Sequence, residues 1–135
     1  MSINILVRHY WRSFLVVCCI LYLSFAPPST FDKIPTVENE DKLVHLMMYG
    51  GLSFTLMFDF LIHQKPKYRL LLFVLIGILF PIILGGIVEI IQPLYFAPRS
   101  GSWGDFAANS TGVALSGTLV YSLKKSKLTK PFKRF

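Results

Sequence analysis

A chain of 135 residues has room for one domain. Apolar residues make up 53% of it and the mean hydropathy is +0.55, more apolar surface than a soluble domain of this size can hide. The net charge is +7, but the basic residues lie between and beyond apolar blocks, with no zinc-finger spacing and no aromatic RNA-binding signature. That distribution excludes nucleic acid as the expected partner and points to a lipid bilayer and its anionic headgroups.

The chain reads as four apolar helices. The first is expected over 11–28, with Arg8 and His9 before it and Arg12 at its start, and is stopped by Pro27 and Pro28. A signal peptide has the same layout, and Ser24 and Ala26 mimic residues before a cleavage site. Pro27 directly after Ala26 argues against cleavage, so the helix is expected to be retained. Cys18 and Cys19, the only cysteines, sit side by side in this run and cannot form a disulfide framework; they read as small apolar side chains. A polar, mostly acidic stretch with Pro35 leads to the second helix, 43–62, about 20 residues and long enough to cross hydrocarbon.

A basic loop around Lys65, Lys67 and Arg69 precedes the third helix, 70–92, which carries no charge before Glu89 and ends at Pro93. Pro81 within it removes the hydrogen bond to the Gly77 carbonyl, which predicts a kink and a neighbour that satisfies the freed group. The fourth helix, 103–123, has Ala108, Gly112 and Ser116 at intervals of four, a stripe that lets another helix approach closely. A basic tail, 124–135, closes the chain. There is no internal repeat, and 1–135 is expected to be a single domain.

Eleven basic residues fall in the N-terminus, the second loop and the tail; the other three, Lys33, Lys42 and Arg99, fall in the first and third loops. Positive residues stay in the cytoplasm. The fold class expected is therefore an all-α integral membrane protein, a four-transmembrane-helix bundle with both termini inside.

That topology gathers scattered polar residues. Asp41, Lys42, His45 and Tyr49 open the second helix from outside, with Asp41, His45 and Tyr49 on one face. Glu89 lies roughly 28 Å along the third helix, again near the outer surface, with Gln92 close by. Asp105 and Asn109 open the fourth, and Arg99 sits in the adjoining loop. The inner two-thirds offers little beyond Asp59, expected to reach cytoplasmic water. Charges near helix ends can simply meet solvent, Asp105 complements a helix dipole, and Glu89 with Arg99 can be a structural ion pair. Ionisable groups inside membrane helices are nevertheless functional candidates by default.

The nine residues form the expected binding site. Arg99 and Lys42 suit an anion, and His45 beside carboxylates can move a proton near neutral pH. Asp41, His45, Glu89 and Asp105 could instead hold a divalent cation, but no spacing is specific for a metal, so neither metal nor cofactor is expected. No nucleophile has an evident base partner. If there is catalysis, His45, Glu89 and Asp105 are the candidates; a binding role is favoured over an enzyme.

The motif run Asp41-Lys42-x-x-His45-x-x-x-Tyr49, then Glu89-x-x-Gln92, then Arg99-x5-Asp105-x3-Asn109-x2-Gly112 resembles the VanZ-like family, over 41–117 and in the family's order. Leu46 stands where that family usually has an aromatic. The resemblance implies a multi-pass protein of the bacterial cytoplasmic membrane and cell envelope. It also implies a link to the lipid-tailed glycopeptide antibiotic teicoplanin, through the member for which the family is named.

Three functions compete: an envelope factor that binds an anionic amphiphile at the outer leaflet (a lipid headgroup, a lipid-linked wall precursor or a lipoglycopeptide), a membrane-embedded enzyme acting on a lipid phosphate or ester, and a structural or assembly protein. Transport is disfavoured because the polar residues do not continue across the membrane. The charge asymmetry makes one expectation directly testable. A reporter fused after Phe135 should be active only in the cytoplasm, and one inserted in 29–40 only outside; a tail reporter active outside overturns the orientation.

Overall fold

The structure is a computed structural model that describes residues 3–30, 35, 39–63, 69–97 and 100–125. Among these it is all-helical. Helix α1 is Ile3–Phe25 and α2 is Glu40–His63. Helix α3 is one continuous rod in three pieces: α-helical Arg69–Val74, a π-helical turn Leu75–Leu79, and α-helical Phe80–Tyr95. Helix α4 is Trp103–Lys125. The basic tail expected beyond 125, most of the second loop and Arg99 lie outside the described residues.

The helix limits follow from local chemistry. Helix α1 starts at Ile3 rather than 11, but Tyr10 leaves helical geometry (φ −116°, ψ 21°), so an N-terminal segment bearing Arg8 and His9 is set off from the apolar part. It ends at Phe25 rather than 28, because Pro27 has no N–H to continue the ladder; a 3-10 turn, Pro28–Thr30, follows. Helix α2 begins with Glu40 and Asp41, whose charges suit a helix N-terminus. Helix α3 runs through Pro93 to Tyr95 instead of stopping before the proline.

Length and apolarity mark two helices as able to cross a membrane, Glu40–His63 and Leu70–Tyr95. The first and fourth, expected as spans from the sequence, do not meet that measure. After the break at Tyr10, α1 has only a short apolar stretch and still carries Arg12; α4 is diluted by Asp105, Asn109, Ser110, Thr111, Ser116 and Thr118.

The core is built on α2. Tyr49, Leu52 and Leu56 meet Ile20 of α1 and Val113 of α4, with Ile76, Ile78, Ile82 and Leu84 of α3 packed around them. The most extensive helix pair is α2 with α4. It is close because of glycine. A side chain at Gly112 would run into the Leu46 carbonyl, and a Cβ at Gly50 would lie 3.2 Å from the Gly112 carbonyl oxygen. Ser116 Oγ, one turn below Gly112, donates to the Gly50 carbonyl at 2.7 Å. The small-residue stripe of α4 is thus the seam against α2.

Pro81 is buried, and the Gly77 carbonyl that it cannot bond accepts from Ser53 Oγ of α2 at 2.6 Å. The π-helical turn sits immediately before the proline, which absorbs the mismatch in the ladder. At Pro81 the irregularity takes the form of a π-helical turn, and the freed acceptor is filled from across the bundle.

Asp59 does not reach water. It is fully buried, accepting from Ser13 Oγ at 2.9 Å and from Arg12 Nη1 at 3.2 Å, with the guanidinium lying over the rings of Trp11 and Phe58. The reason is that α1 docks against this end of α2 and brings its own cation. Asp59 is a helix lock, not a residue that meets cytoplasmic water as the sequence suggested.

The α2–α4 seam yields a paired test. Gly112→Ala should destabilise the fold by about 1–3 kcal/mol, the range for overpacking a tight contact. Gly51→Ala, at a helical glycine with nothing near its missing Cβ, should raise stability by up to about 1 kcal/mol. Thermal unfolding of the purified protein in detergent measures both, and equal effects would contradict the seam.

Candidate functional site

At the end of the bundle where α2 and α4 begin and α3 ends, three helices bring polar groups together. His45 projects from the second turn of α2, Glu89 from the last third of α3, and Asp105 and Asn109 from the first turns of α4. His45 Nδ1 lies 3.0 Å from Asn109 Oδ1 and 3.6 Å from Glu89 Oε1. One ligand-type atom each from His45, Glu89 and Asp105 lie within 4.8 Å of one another. Beneath them, the Tyr49 ring is parallel to the His45 ring, 4° apart in tilt with centroids 6.4 Å apart.

The approach of α3 is set by another small residue. A Cβ at Gly85 would lie 3.0 Å from Asn109 Nδ2 and 3.2 Å from the Tyr49 ring, so Glu89, one turn further on, reaches the cluster only because position 85 has no side chain. The loop after α3 is fitted to the same place. Pro93 cannot bond the Glu89 backbone carbonyl, and Gly101 folds so close to that carbonyl that any side chain at 101 would collide with it. The next residue, Ser102, donates its backbone N–H to Glu89 Oε2 at 3.0 Å. Its hydroxyl then accepts from the Asp105 N–H at 3.0 Å, capping α4.

This leaves Glu89 with one oxygen held and one open. Glu89 Oε1, Asn109 Nδ2 and Tyr49 Oη are all buried without a hydrogen-bond partner. Asn109 and Tyr49 are fully buried, and Glu89 is 9% exposed. Buried polar atoms are normally paired, so neighbouring side chains with hydrogen-bonding capacity to spare make this the candidate site. Beside them opens a cavity of about 360 Å³ lined by Gly86, Glu89, Ile90, Gly101, Ser102, Trp103 and Phe106. Apart from Glu89 and Ser102 its wall is apolar, with Trp103 and Phe106 meeting edge to face.

Of the nine residues singled out from the sequence, His45, Glu89, Asp105 and Asn109 meet directly and Tyr49 lies beneath. Gln92 does not join them: its Nε2 donates to the Ser24 carbonyl at 2.9 Å, tying α3 to α1. Asp41 and Lys42 are exposed at the head of α2, where Lys42 Nζ donates to Asn39 Oδ1 at 3.4 Å. The Lys42 chain passes over the first turn of α4, since a Cβ at Gly104 would lie 3.1 Å from its Cε. Arg99, and with it the expected Glu89–Arg99 pair, lies outside the described residues. The roles of Gly101 and Ser102 went unread, although Ser102-x-x-Asp105 is a helix-start pattern; nor did the sequence mark Gly86, Ile90, Trp103 and Phe106 as a cavity wall.

Searches of protein-family models, of curated proteins and of solved structures return no match to this chain. What it does is therefore argued from the site.

The loop clamp can be tested by itself. Gly101→Ala should push Ser102 off Glu89, lower thermal stability, and shift the emission of the adjacent Trp103. Ser100→Ala, one residue earlier in the exposed loop, should do neither. Unchanged emission and stability in Gly101→Ala would show that the loop does not close on Glu89.

Proposed function

We propose that this protein is a VanZ-like integral membrane protein of the bacterial cell envelope that binds an anionic amphiphile at the outer leaflet. In this reading all four helices cross the membrane and both termini are cytoplasmic. The polar head sits over His45, Glu89, Asp105 and Asn109, with Lys42 and Arg99 as the cations that recognise its charge, and a tail lies along the apolar cavity.

The observation that carries the proposal is the joining of two unlike surfaces in one recess. Buried polar atoms with unused hydrogen-bonding capacity adjoin a slot walled by Ile90, Trp103, Phe106 and Gly86. An amphiphile matches both parts at once, whereas a small ion or a purely apolar molecule matches one.

The membrane setting is supported by the distribution of side chains. Ser13, Ser24, Ser53, Asp59, Glu89, Gln92 and Asn109 are buried, while Phe14, Leu15, Leu71, Phe80, Ile83, Ile87, Leu115 and Leu119 face outward. Water would favour the reverse. The outward hydroxyls of Thr111 and Thr118 donate back to the Ala107 and Ala114 carbonyls at 2.7 and 2.9 Å, as an apolar surrounding requires. In the most apolar window of Leu70–Tyr95 only 22% is buried, unlike the core helix of a soluble protein.

A second reading, a membrane enzyme acting on a lipid phosphate or ester, draws on the open Glu89 oxygen facing the His45 ring. It requires a released product, which binding alone does not.

Short-chain phosphatidylglycerol and teicoplanin, titrated separately into purified protein in detergent and followed by tryptophan emission, test the proposal. At least one should give a saturable response. Gly86→Leu, which fills the slot, and Arg99→Lys, which removes the planar fork, should weaken it by about tenfold. His63→Gln, at the other end of α2, should not. No saturable response to either probe, or full binding by Gly86→Leu, counts against the pocket.

A further inference from the structure

We propose that His45, Glu89 and Asp105 hold a divalent transition-metal ion, with Asn109 as a fourth ligand. The ion bridges these side chains to the anionic head. The metal site stands on its own geometry; the bridge rests on the amphiphile reading above.

Two distances carry the geometry. In a tetrahedral site with bonds of about 2.0–2.1 Å, neighbouring ligand atoms lie roughly 3.3 Å apart. His45 Nδ1 is 3.0 Å from Asn109 Oδ1 and 3.6 Å from Glu89 Oε1, so the imidazole nitrogen already stands at about that spacing from an oxygen on each of the other two helices. One carboxylate oxygen of Asp105 lies within 4.8 Å of a ring nitrogen of His45 and a carboxylate oxygen of Glu89, and a short inward movement joins it to the set. It is half-buried at the head of α4, where a side chain retains that freedom.

The second observation is the state of Glu89. Its Oε2 is held by the Ser102 N–H, which orients the carboxylate as a metal's outer shell does, while Oε1 is buried and unpartnered and faces the imidazole. The set of one imidazole nitrogen and three oxygens suits zinc or manganese. Calcium takes six to eight oxygens, and magnesium prefers to keep its waters. The charge count also answers a difficulty in the amphiphile reading. Two carboxylates repel an anionic head; with a divalent cation between them the site is neutral, and an oxygen of the head joins the ion as a fifth ligand.

The full-length protein in detergent, stripped with EDTA and dialysed against zinc or manganese separately, should retain about one equivalent of one of them by elemental analysis. Asp105→Asn and Glu89→Gln should each weaken retention about tenfold or more. If Glu89→Gln does not fold, Asp105→Asn carries the test, because its carboxylate makes no contact that the bundle depends on.

His9 and His63 stack at the opposite end, with ring centroids 4.1 Å apart, and could capture zinc by themselves. His9→Gln/His63→Gln should therefore keep the metal. Loss in that double variant with retention in Asp105→Asn overturns the site, as does no retention of either ion by the parent. Short-chain phosphatidylglycerol should bind the metal-loaded protein and lose affinity on EDTA treatment. Equal binding with and without EDTA overturns the bridge and leaves the pocket. Metal retention with no lipid binding supports the site and removes the amphiphile reading.

Discussion

Gly112 lies against the Leu46 carbonyl with no room for a methyl group, and the geometry of the whole polar end follows from that contact. Leu46 adjoins His45 in α2; Asn109 stands one turn above Gly112 in α4. Once the two backbones touch at this level, His45 and Asn109 must come within hydrogen-bond reach, and they do, at 3.0 Å. Ser116 holds the same pair of helices one turn lower through the Gly50 carbonyl. Close backbone approach and a buried hydrogen bond thus set the register in which Tyr49, Leu52 and Leu56 pack on Val113.

Helix α3 is arranged by two prolines that each free a carbonyl. Pro81 frees Gly77, and Ser53 supplies the missing donor from α2. Pro93 frees Glu89, and the loop at Gly101 closes over that carbonyl. The first event anchors α3 to the core. The second delivers Ser102 to the Glu89 side chain and starts α4 at the same time. One backbone defect thus connects the end of one helix to the beginning of the next, with the acid between them.

Much of this could be read from the sequence because it depends on spacing. Asp41, His45 and Tyr49 recur at helical intervals, the Ala108–Gly112–Ser116 stripe marks a close seam, and Pro81 names the carbonyl that it orphans. What could not be read depends on rotation between helices. Gln92 shares a helix with Glu89, but its side chain turns to α1 and the Ser24 carbonyl. Asp59 has an unremarkable setting along its own helix; only the docking of α1 gives it Arg12 and Ser13. The cavity was illegible for the same reason: Gly86 and Ile90 of α3, Trp103 and Phe106 of α4 are far apart in sequence and meet only across the loop clamp.

The two ends of the bundle hold acids in opposite conditions, Asp59 on α2 and Glu89 on α3, and the contrast bears on function. Asp59 is buried with a guanidinium and a hydroxyl on its two oxygens, which leaves it little to offer a ligand. Glu89 is buried nearly as deeply, but its hydrogen bonding is confined to one oxygen, and the other faces a histidine at a distance too long for a good hydrogen bond. If stability alone shaped both ends, a carboxylate beside a second acid, Asp105, and open on one side would be a poor choice, because removing such a charge to an apolar residue commonly stabilises a fold. The same arrangement is what a ligand site needs: donors held in place from behind, with capacity left in front. The locked acid at one end therefore reads as scaffold, and the open one at the other is the position proposed for the ligand.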